Sequence, residues 1–470
     1  MSKPEHYKFV VIGAGPAGHH AAVTAAEAGE RTLLVERGVE VGGECVFRGT
    51  IPSKTLLASA RALVEMRRNS PVPAPDLAGS PVPHLMGRLS DVRDSYSRSI
   101  RSDLEESGVN TLHARASFAG PNEILCEAVD GTKTTVTADY IVLATGTRPR
   151  QPPELPLDHE RVLDSDSALS LAYLPTDLVV VGAGVIACEF ASLFQALGVQ
   201  VTMLDKHPSP MGFLEPELSE GFLKCFEADG GRFIPGVQVE SMERGRPDGV
   251  HTRLSNGETL HTAKVLVAMG RVASLGGLNL DAAGLEPTAR GLLKVDEFGR
   301  TSQAHIYAAG DISGAPALAA ASSHQGRMAV RHALGMELGA SAEHIPCGIY
   351  TMPELASVGL TEAQARERFG DVLVGRADFA DLARAQIDGN PAGLLKLVCE
   401  PEGKRLVGMH CMADRATELI HLGQMALVAE SGPEVFEDTI FNFPTYAQAY
   451  TTAAHAILEQ IRRRANRHVA

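Results

Sequence analysis

Residues 10–36 read VVIGAGPAGHHAAVTAAEAGERTLLVE, and residues 179–205 read VVVGAGVIACEFASLFQALGVQVTMLD. The two stretches align without a gap, and each position of the second lies 169 residues after its counterpart in the first. Each contains an apolar β-branched run, a glycine-rich turn, a stretch of small residues, a second apolar run and a final acid. The chain therefore contains an internal repeat, and both copies predict the same strand–helix–strand unit.

The glycines of each copy have separate physical roles. Gly13 and Gly182 permit a tight turn from the strand into the helix. Gly15 and Gly184 let a pyrophosphate approach the backbone at the helix N-terminus, where unpaired N–H groups and the helix dipole attract an anion. The turn of each copy is therefore typical of a dinucleotide-binding site.

The remaining fingerprint positions support the same interpretation. Gly18 and its counterpart Ala187 allow the helix to pack closely on the strand. Glu36 and Asp205 each lie 23 residues after the first glycine, where a carboxylate can accept a hydrogen bond from a ribose 2′-OH. Because one chain with two such folds binds two dinucleotides, we expect an enzyme that passes electrons from one to the other.

Bulk composition limits the other functions. The 470 residues are enough for about three domains, and 44% hydrophobic with 21% charged residues is typical of a globular protein. A formal net charge of −14 argues against a nucleic acid or an anionic membrane as partner. No signal peptide, membrane span or metal-binding spacing of the seven cysteines is evident, so we expect a cytoplasmic protein without a metal.

Further motifs identify a family. VGGECVFRGTIPSK follows at residues 41–54, and later segments are LATGTRP (143–149), VAMGR (267–271), YAAGDI (307–312) and GIYTMPELASVGLTE (348–362). With these motifs the chain resembles the pyridine nucleotide-disulfide oxidoreductases, which include dihydrolipoamide dehydrogenase and glutathione reductase. The resemblance implies an α/β fold with two Rossmann-like, three-layer dinucleotide-binding domains and an α+β C-terminal dimerisation domain.

The resemblance also implies boundaries, cofactors and partners. It places an FAD-binding domain at 1–157 and 276–344, an NAD(P)-binding domain at 158–275 and the dimerisation domain at 345–470, with FAD as cofactor, NAD(P)H as substrate and a homodimer. The residues that it assigns to FAD are Gly13, Gly15, Gly18, Glu36, Gly42, Gly43, Cys45, Lys54, Ala116, Thr145, Gly146, Gly310 and Asp311. Those that it assigns to the nicotinamide dinucleotide are Gly182, Gly184, Ala187, Glu189, Asp205, Lys206 and Gly270.

The chain departs from the dithiol members of the family at three positions. Those members carry a second cysteine five residues after the first, but here Cys45 is followed by Thr50, and a hydroxyl cannot form a disulfide. Phe443 and Gln448 replace the histidine and glutamate of the C-terminal dyad, so no imidazole is available there as a base. Together these replacements exclude a dithiol–disulfide reductase, including dihydrolipoamide dehydrogenase.

The chain resembles one branch of the family, the soluble Si-specific pyridine nucleotide transhydrogenases, at Thr50 and Phe443, but it departs from that branch at Gln448, where the branch has an acid. The chain also resembles that branch in RADFADLARAQIDGN (376–390), GMHCMADRATELIHLGQ (408–424) and FNFPTYAQAY (441–450). The resemblance implies reversible hydride transfer from NADPH to NAD+ through the flavin N5 in a ping-pong reaction, without a redox-active disulfide. An NAD(P)H-dependent reductase of quinones or another small acceptor, and a scaffold with negligible turnover, remain as alternatives.

Several side chains are candidates for the chemistry. By resemblance, the ammonium of Lys54 lies beside the flavin and is held by Glu189, because a nearby cation stabilises an anionic reduced flavin. Cys45 is a packing thiol, a nucleophile or a redox sensor, and Thr50 either donates a hydrogen bond or fills space. The three histidines in mixed apolar stretches are expected to be structural: His324, His410 and His421.

The sequence features that bear on the preference for NAD or NADP disagree with one another. The carboxylate of Asp205 favours NAD, because it repels a 2′-phosphate. Ala187 is typical of NADP sites, and Lys206 with His207 offers positive charge to a phosphate. The nucleotide preference therefore stays open, although a transhydrogenase has to accept both nucleotides.

Overall fold

The computed structural model describes residues 4–69, 82–245, 249–338 and 344–469. The chain divides into two units. The first comprises Met1–Thr55, Pro83–Arg150 and Gly270–Ala342, and the second comprises Leu56–Val82, Gln151–Met269 and Glu343–Ala470. The three-domain boundaries expected from the sequence stay a prediction. Among the described helices, none is both long and apolar enough to cross a lipid bilayer.

The strands and the α-helices of the described residues are each numbered in chain order. The strands are β1 (Glu5–Ile12), β2 (Thr32–Glu36), β3 (Asn110–His113), β4 (Arg115–Gly120), β5 (Glu123–Glu127), β6 (Lys133–Leu143), β7 (Thr147–Pro149), β8 (Val162–Leu163), β9 (Asp177–Val181), β10 (Gln200–Asp205), β11 (Arg232–Pro235), β12 (Val239–Arg244), β13 (Val250–Leu254), β14 (Thr259–Thr262), β15 (Lys264–Val267), β16 (Arg271–Ala273), β17 (Ile306–Ala308), β18 (Cys347–Ile349), β19 (Glu354–Gly359), β20 (Leu373–Asp378), β21 (Leu394–Cys399) and β22 (Leu406–Ala413). The α-helices are α1 (Pro16–Glu27), α2 (Gly43–Phe47), α3 (Thr50–Asn69), α4 (Val82–Glu106), α5 (Val185–Ala196), α6 (Pro216–Ala228), α7 (Ala319–Ala333), α8 (Glu362–Phe369), α9 (Ala383–Ile387), α10 (Ala416–Val428), α11 (Glu434–Glu437) and α12 (Gln448–Val469).

The first unit is built on a seven-stranded sheet of order β3-β2-β1-β6-β5-β4, with β17 paired to β6. β1 pairs in parallel with both β2 and β6, and β4 and β5 run antiparallel. Alternate residues of β1 enter different cores: Val10 and Ile12 pack in one, and Phe9 and Val11 in the other. Both faces of the sheet are therefore covered, which explains why its central strand is apolar without alternation.

The second unit contains a parallel sheet of order β11-β10-β9-β15-β8 and a small antiparallel sheet of order β12-β13-β14. Its C-terminal part is a five-stranded antiparallel sheet of order β18-β19-β22-β21-β20. Helices α10 and α12 pack on that sheet, with Ile420, Tyr450 and Ile457 in its core. The expected fold class, two dinucleotide-binding α/β folds and an α+β C-terminal part, is confirmed.

The internal repeat extends to the pairing of individual residues. Phe9 pairs with Thr32 in the first copy, and Leu178 pairs with Val201 in the second. Each of these residues lies 169 positions from its counterpart. The two copies of the repeat therefore share the same strand register.

Candidate functional site

The first glycine-rich turn lies between β1 and α1. Gly13 has a φ of +102°, and a Cβ at this position would lie 2.4 Å from the carbonyl oxygen of Ala144, so that only glycine fits. Gly15 is the N-cap of α1 and has an extended backbone, with φ −71° and ψ −177°. Glu36 ends β2 and closes the turn: its Oε2 accepts from the Ala14 N–H at 2.7 Å and its Oε1 from the Gly38 N–H at 2.8 Å.

The second turn, between β9 and α5, repeats this geometry. Gly182 has a φ of +115°, and its Cβ would lie 2.6 Å from the carbonyl oxygen of Ala268. Asp205 accepts from the Ala183 N–H at 2.8 Å and from the His207 N–H at 2.8 Å. Both acids thus fix the backbone of their own turn, a role that was not inferred from the sequence; the contact with a ribose stays a prediction.

The two copies differ at the third fingerprint position. A Cβ on Gly18 would lie 1.8 Å from the carbonyl oxygen of Gly13, so α1 lies directly against its turn. In the second copy Ala187 occupies this position and is fully buried, and a Cβ on Gly182 would lie 3.8 Å from the Ala187 Cβ. The methyl group of Ala187 is therefore accommodated, whereas the first turn requires glycine.

The segment 41–54 packs on the first turn. The N–H of Gly42 donates to the carbonyl oxygen of Ala14 at 3.0 Å, and φ at Gly42 is +127°. A Cβ on Gly43 would lie 2.8 Å from the Cα of Gly15. Because these glycines let two backbones touch, helices α2 and α3 begin close to the glycine-rich turn.

Four predicted residues of the first unit come together around the Cys45 sulfur. Burial raises the pKa of the Cys45 thiol, and the negative charge of Asp311 adds to the increase. A hydrogen bond with the Thr50 hydroxyl and the positive charge of Lys54 oppose it without overcoming it. All seven cysteines are free thiols, so Cys45 is a protonated thiol beside a hydroxyl near neutral pH.

Asp311 also anchors a network that was not inferred from the sequence. The Thr147 hydroxyl donates to Asp311 Oδ2 at 3.0 Å, and Arg271 Nε donates to the Thr147 hydroxyl at 2.8 Å. Both partners lie in motifs that the sequence displays, LATGTRP and VAMGR. Nearby in the chain, the hydroxyl of Thr145 is buried and has no hydrogen-bond partner in the described residues. A buried orphan hydroxyl fits residues that are arranged to hold a cofactor.

Other predicted residues lie elsewhere in their units. Glu189 lies on α5, is buried and accepts from the Tyr350 N–H at 2.9 Å. Ala116 is buried in β4 within a hydrophobic core. Gly270 accepts from the Arg150 N–H at 3.0 Å, and Lys206 is exposed. The pairing of Lys54 with Glu189, and the assignments of Ala116, Gly146, Gly310, Lys206 and Gly270 to bound nucleotides, stay predictions.

Phe443 is 68% exposed, and no base takes its place in the FNFPTYAQAY motif.

The candidate histidines have structural contacts. His410 is buried and its Nε2 hydrogen-bonds the carbonyl oxygen of Leu360 at 3.0 Å, and burial lowers its pKa. Burial also lowers the pKa of His324, while His421 hydrogen-bonds Gln424.

One acidic cluster within the second unit has the spacing of a metal site. Glu215, Glu217 and Glu362 have carboxylate oxygens within 4.8 Å of one another. The Lys396 ammonium lies among them, 2.7 Å from Glu215, 2.6 Å from Glu217 and 2.7 Å from Glu362, and its side chain is 1% exposed. The cation that this cluster binds is therefore its own lysine, and we call the four residues the Lys396 cluster.

Two glycine-rich turns on two dinucleotide folds, with an acid closing each, define a dinucleotide-dependent oxidoreductase. The model of the family described as pyridine nucleotide-disulphide oxidoreductase matches residues 7–326, and the model of its dimerisation domain matches residues 345–454. The chain belongs to this family. FAD as cofactor and NAD(P)H as substrate, which the sequence predicts, are the cofactors of the family and are confirmed.

Several named proteins are similar to the chain over almost its whole length. The soluble pyridine nucleotide transhydrogenase of Mycobacterium bovis (strain BCG / Pasteur 1173P2) is 39% identical, with 97% of this chain and 98% of that protein covered. The protein of the same name from Yersinia pestis (strain Pestoides F) is 37% identical, with 97% and 98% covered.

Solved structures agree with this relationship. The crystal structure of LpdA from Mycobacterium tuberculosis has a TM-score of 0.88 at 28% identity, covering 96% of this chain and 99% of that chain. The HOCl-induced flavoprotein disulfide reductase RclA from Escherichia coli has a TM-score of 0.86 at 25% identity, covering 96% and 99%. Similar folds thus include a protein that is named a disulfide reductase, so the fold alone does not distinguish the chemistry.

Proposed function

We propose that the chain is an FAD-dependent pyridine nucleotide transhydrogenase, which moves hydride reversibly from NADPH to NAD+ without a redox-active disulfide. The observation that carries the proposal is Thr50 at the position of the second cysteine, with its hydroxyl close enough to the Cys45 thiol to oppose the rise in the pKa of that thiol. A hydroxyl in that place leaves Cys45 without a sulfur partner. The names of relatives that are 37–39% identical support the same conclusion.

The chain's own residues suit the binding of both dinucleotides. At the first turn, Gly13 and Gly15 open the N-terminus of α1 to the pyrophosphate of FAD, and Glu36 holds the turn in shape. At the second turn, Gly182, Gly184 and Asp205 do the same for NAD(P)H. When bound, FAD supplies a ring that accepts a hydride from a reduced nicotinamide and returns it to an oxidised one.

Lys54 is proposed as the residue that stabilises negative charge at the redox centre. Support comes from the electrostatic effect of Lys54 on the Cys45 thiol, since the segment 41–54 that contains both residues touches the first turn. A fixed positive charge in a partly desolvated site stabilises a developing anion more than it would in water. Glu189 is proposed to orient Lys54.

No proton has to be held or released by a side chain in the net reaction between the two nucleotides. This agrees with Phe443 at the position where dithiol members have a histidine, because phenylalanine cannot exchange a proton. It also agrees with a Cys45 thiol whose pKa is raised by burial, since a protonated thiol is a poor nucleophile.

Both nucleotides are proposed to use the second turn one after the other, in a ping-pong order. Asp205 disfavours a 2′-phosphate, while the exposed Lys206 and His207 directly after it offset that charge. The dimerisation domain supports a homodimer as the active form.

Stopped-flow absorbance tests the proposal with the purified holoenzyme. NADPH is expected to bleach the flavin band near its visible maximum, and NAD+ added afterwards is expected to restore it at a rate consistent with turnover. Failure of NAD+ to restore the band contradicts the proposal. Restoration by a quinone alone favours a small-acceptor reductase, and turnover with lipoamide indicates a dithiol mechanism.

A further inference from the structure

A row of three metal-binding side chains crosses the small antiparallel sheet of the second unit. Glu243 of β12 pairs with His251 of β13, and His251 pairs with His261 of β14. Residues that are directly opposite one another point to the same face of a sheet. Glu243 and His261 are exposed and His251 is partly exposed, so the row lies on the outer face; we call it the Glu–His–His row.

The register brings the two imidazoles unusually close. The Leu254 N–H donates to the Glu258 carbonyl oxygen at 2.9 Å, which makes this a hydrogen-bonded pair at the end of the hairpin. Hydrogen-bonded and non-hydrogen-bonded pairs alternate along an antiparallel ladder. Three pairs further on, His251 and His261 therefore form a non-hydrogen-bonded pair, the type in which opposite side chains are closer.

The ring geometry agrees with this register. The centroids of the two imidazole rings are 4.2 Å apart, and their planes meet at 82°. Gly245 leaves room for the His251 ring, because a Cβ on residue 245 would lie 2.6 Å from the Nε2 atom of His251. Two nitrogens on one tetrahedral zinc lie about 3.3 Å apart when each Zn–N bond is about 2.0 Å. Rings at this separation meet that distance after rotation of the side chains alone.

Apart from the contact between the two imidazole rings, the three side chains have no polar partner in the described part of the chain. No hydrogen bond or ion pair to Glu243, His251 or His261 is present among those residues. The adjacent cations have other partners: Arg253 pairs with Glu240 at 3.2 Å, and Arg244 pairs with Asp158 at 3.1 Å. The Glu–His–His row thus differs from the Lys396 cluster, where an ammonium already neutralises the carboxylates.

From this arrangement we infer that the Glu–His–His row is a surface site for one divalent transition-metal ion of the zinc class. Two imidazoles and a carboxylate are ligands that suit Zn2+, Ni2+ or Cu2+ and disfavour Mg2+ and Ca2+. Binding requires rotation about the side-chain bonds, since the three donor atoms do not all lie within 4.8 Å of one another in the ion-free arrangement. The bound ion joins β12, β13 and β14, and water completes its coordination.

Isothermal titration of the FAD-loaded enzyme with ZnCl2, and separately with NiCl2, tests the site. The expected result is one ion per chain for the wild type, at least about tenfold weaker binding for His261→Gln or His251→Gln, and no detectable binding for the double variant. His305→Gln, at a partly exposed histidine of the first unit, is the matched control and is expected to bind as the wild type does. Titration with MgCl2 is expected to show no site.

A second measurement needs no variant. Diethyl pyrocarbonate modifies accessible histidines, and mass spectrometry of the digested wild type is expected to show that Zn2+ selectively protects His251 and His261. Unchanged zinc binding in the double variant, or protection of other histidines instead, overturns the inference. So does the absence of a one-to-one site in the wild type.

Discussion

Substitution of Gly184 by alanine separates the fold of the second turn from its proposed ligand. Gly184 is the N-cap of α5 and has φ −78° and ψ −176°, an extended conformation that alanine adopts without strain. A Cβ added there meets no atom of the described structure within 4 Å. On the protein alone, Gly184→Ala is therefore expected to be close to neutral, because a gain of about 0.4–1 kcal/mol through the unfolded state offsets the weaker preference of alanine for an N-cap position.

The expected loss is entirely in nucleotide binding. The new methyl group occupies space at the helix N-terminus, where the pyrophosphate of either nucleotide is proposed to approach the backbone. Forcing a methyl group into a close contact costs about 1–3 kcal/mol, which corresponds to about 5- to 150-fold in affinity. Because both nucleotides are proposed to use the same turn in a ping-pong reaction, KM for NADPH and KM for NAD+ are expected to rise by a similar factor.

Steady-state transfer from NADPH to thio-NAD+ measures both KM values, and the flavin spectrum reports whether the first turn is intact. Gly87→Ala is the matched control, because Gly87 lies on the exposed side of α4 and a Cβ there also meets nothing within 4 Å. A Gly184→Ala enzyme with one raised and one unchanged KM refutes a shared nucleotide site. Two unchanged KM values refute the approach of the pyrophosphate to Gly184.

The other predictions concern sulfur, charge and pH. Thr50→Cys brings a second sulfur to Cys45, so oxidation is expected to remove two titratable thiols from the variant, while the wild type keeps all seven. Lys396→Met leaves the buried Glu215 carboxylate without its ammonium, while Glu217 and Glu362 keep Arg376, and this is expected to lower the free energy of unfolding in urea by about 3–5 kcal/mol. Burial, together with the charges of His19 and Arg327, lowers the pKa of His20 to about 4. A neutral His20 therefore stabilises the fold above pH 6.5, and this contribution is lost as the pH falls toward about 4, so the Tm of His20→Gln is expected to decline less than that of the wild type over this range.

Matched variants decide these three outcomes. Thr50→Cys in a Cys45→Ser background is expected to lose no thiols; equal loss there indicates another disulfide. Lys404→Met, at an exposed lysine, is expected to leave unfolding unchanged, and an equal effect contradicts the role of the Lys396 cluster. Parallel Tm curves for wild type and His20→Gln between pH 6.5 and 4 contradict the pKa argument.

The sequence predicts the two dinucleotide folds because the residues that specify each fold lie close together in the chain. The strand, turn, helix and acid of each copy lie within 27 residues, and the two copies share one strand register, with Phe9 paired to Thr32 and Leu178 paired to Val201. The replacement of a cysteine by Thr50 is equally local, because only residue type and spacing are involved. The dinucleotide folds and the replacement of the cysteine can therefore both be predicted from patterns in the sequence.

The sequence did not predict contacts between distant segments of the chain. Lys396 meets Glu215 across 181 positions of the chain, and no periodicity marks either residue as paired. The hydrogen bond from Tyr350 to Glu189 likewise joins two parts of the second unit. Burial of a charge is decided by what packs around it, so a single sequence indicates the residue but not its partner.

The carboxylates of Glu36 and Asp205 have a consequence for ligand exchange. Each is held by two backbone N–H groups before any ribose arrives, and an ionised carboxylate has about four acceptor positions, so about two remain. If the predicted contact with a ribose forms, the incoming hydroxyl meets an acceptor whose direction is already set, in a loop that needs no ordering. We expect one nucleotide to replace another at the second turn without rearrangement of the surrounding backbone, which keeps the exchange rapid.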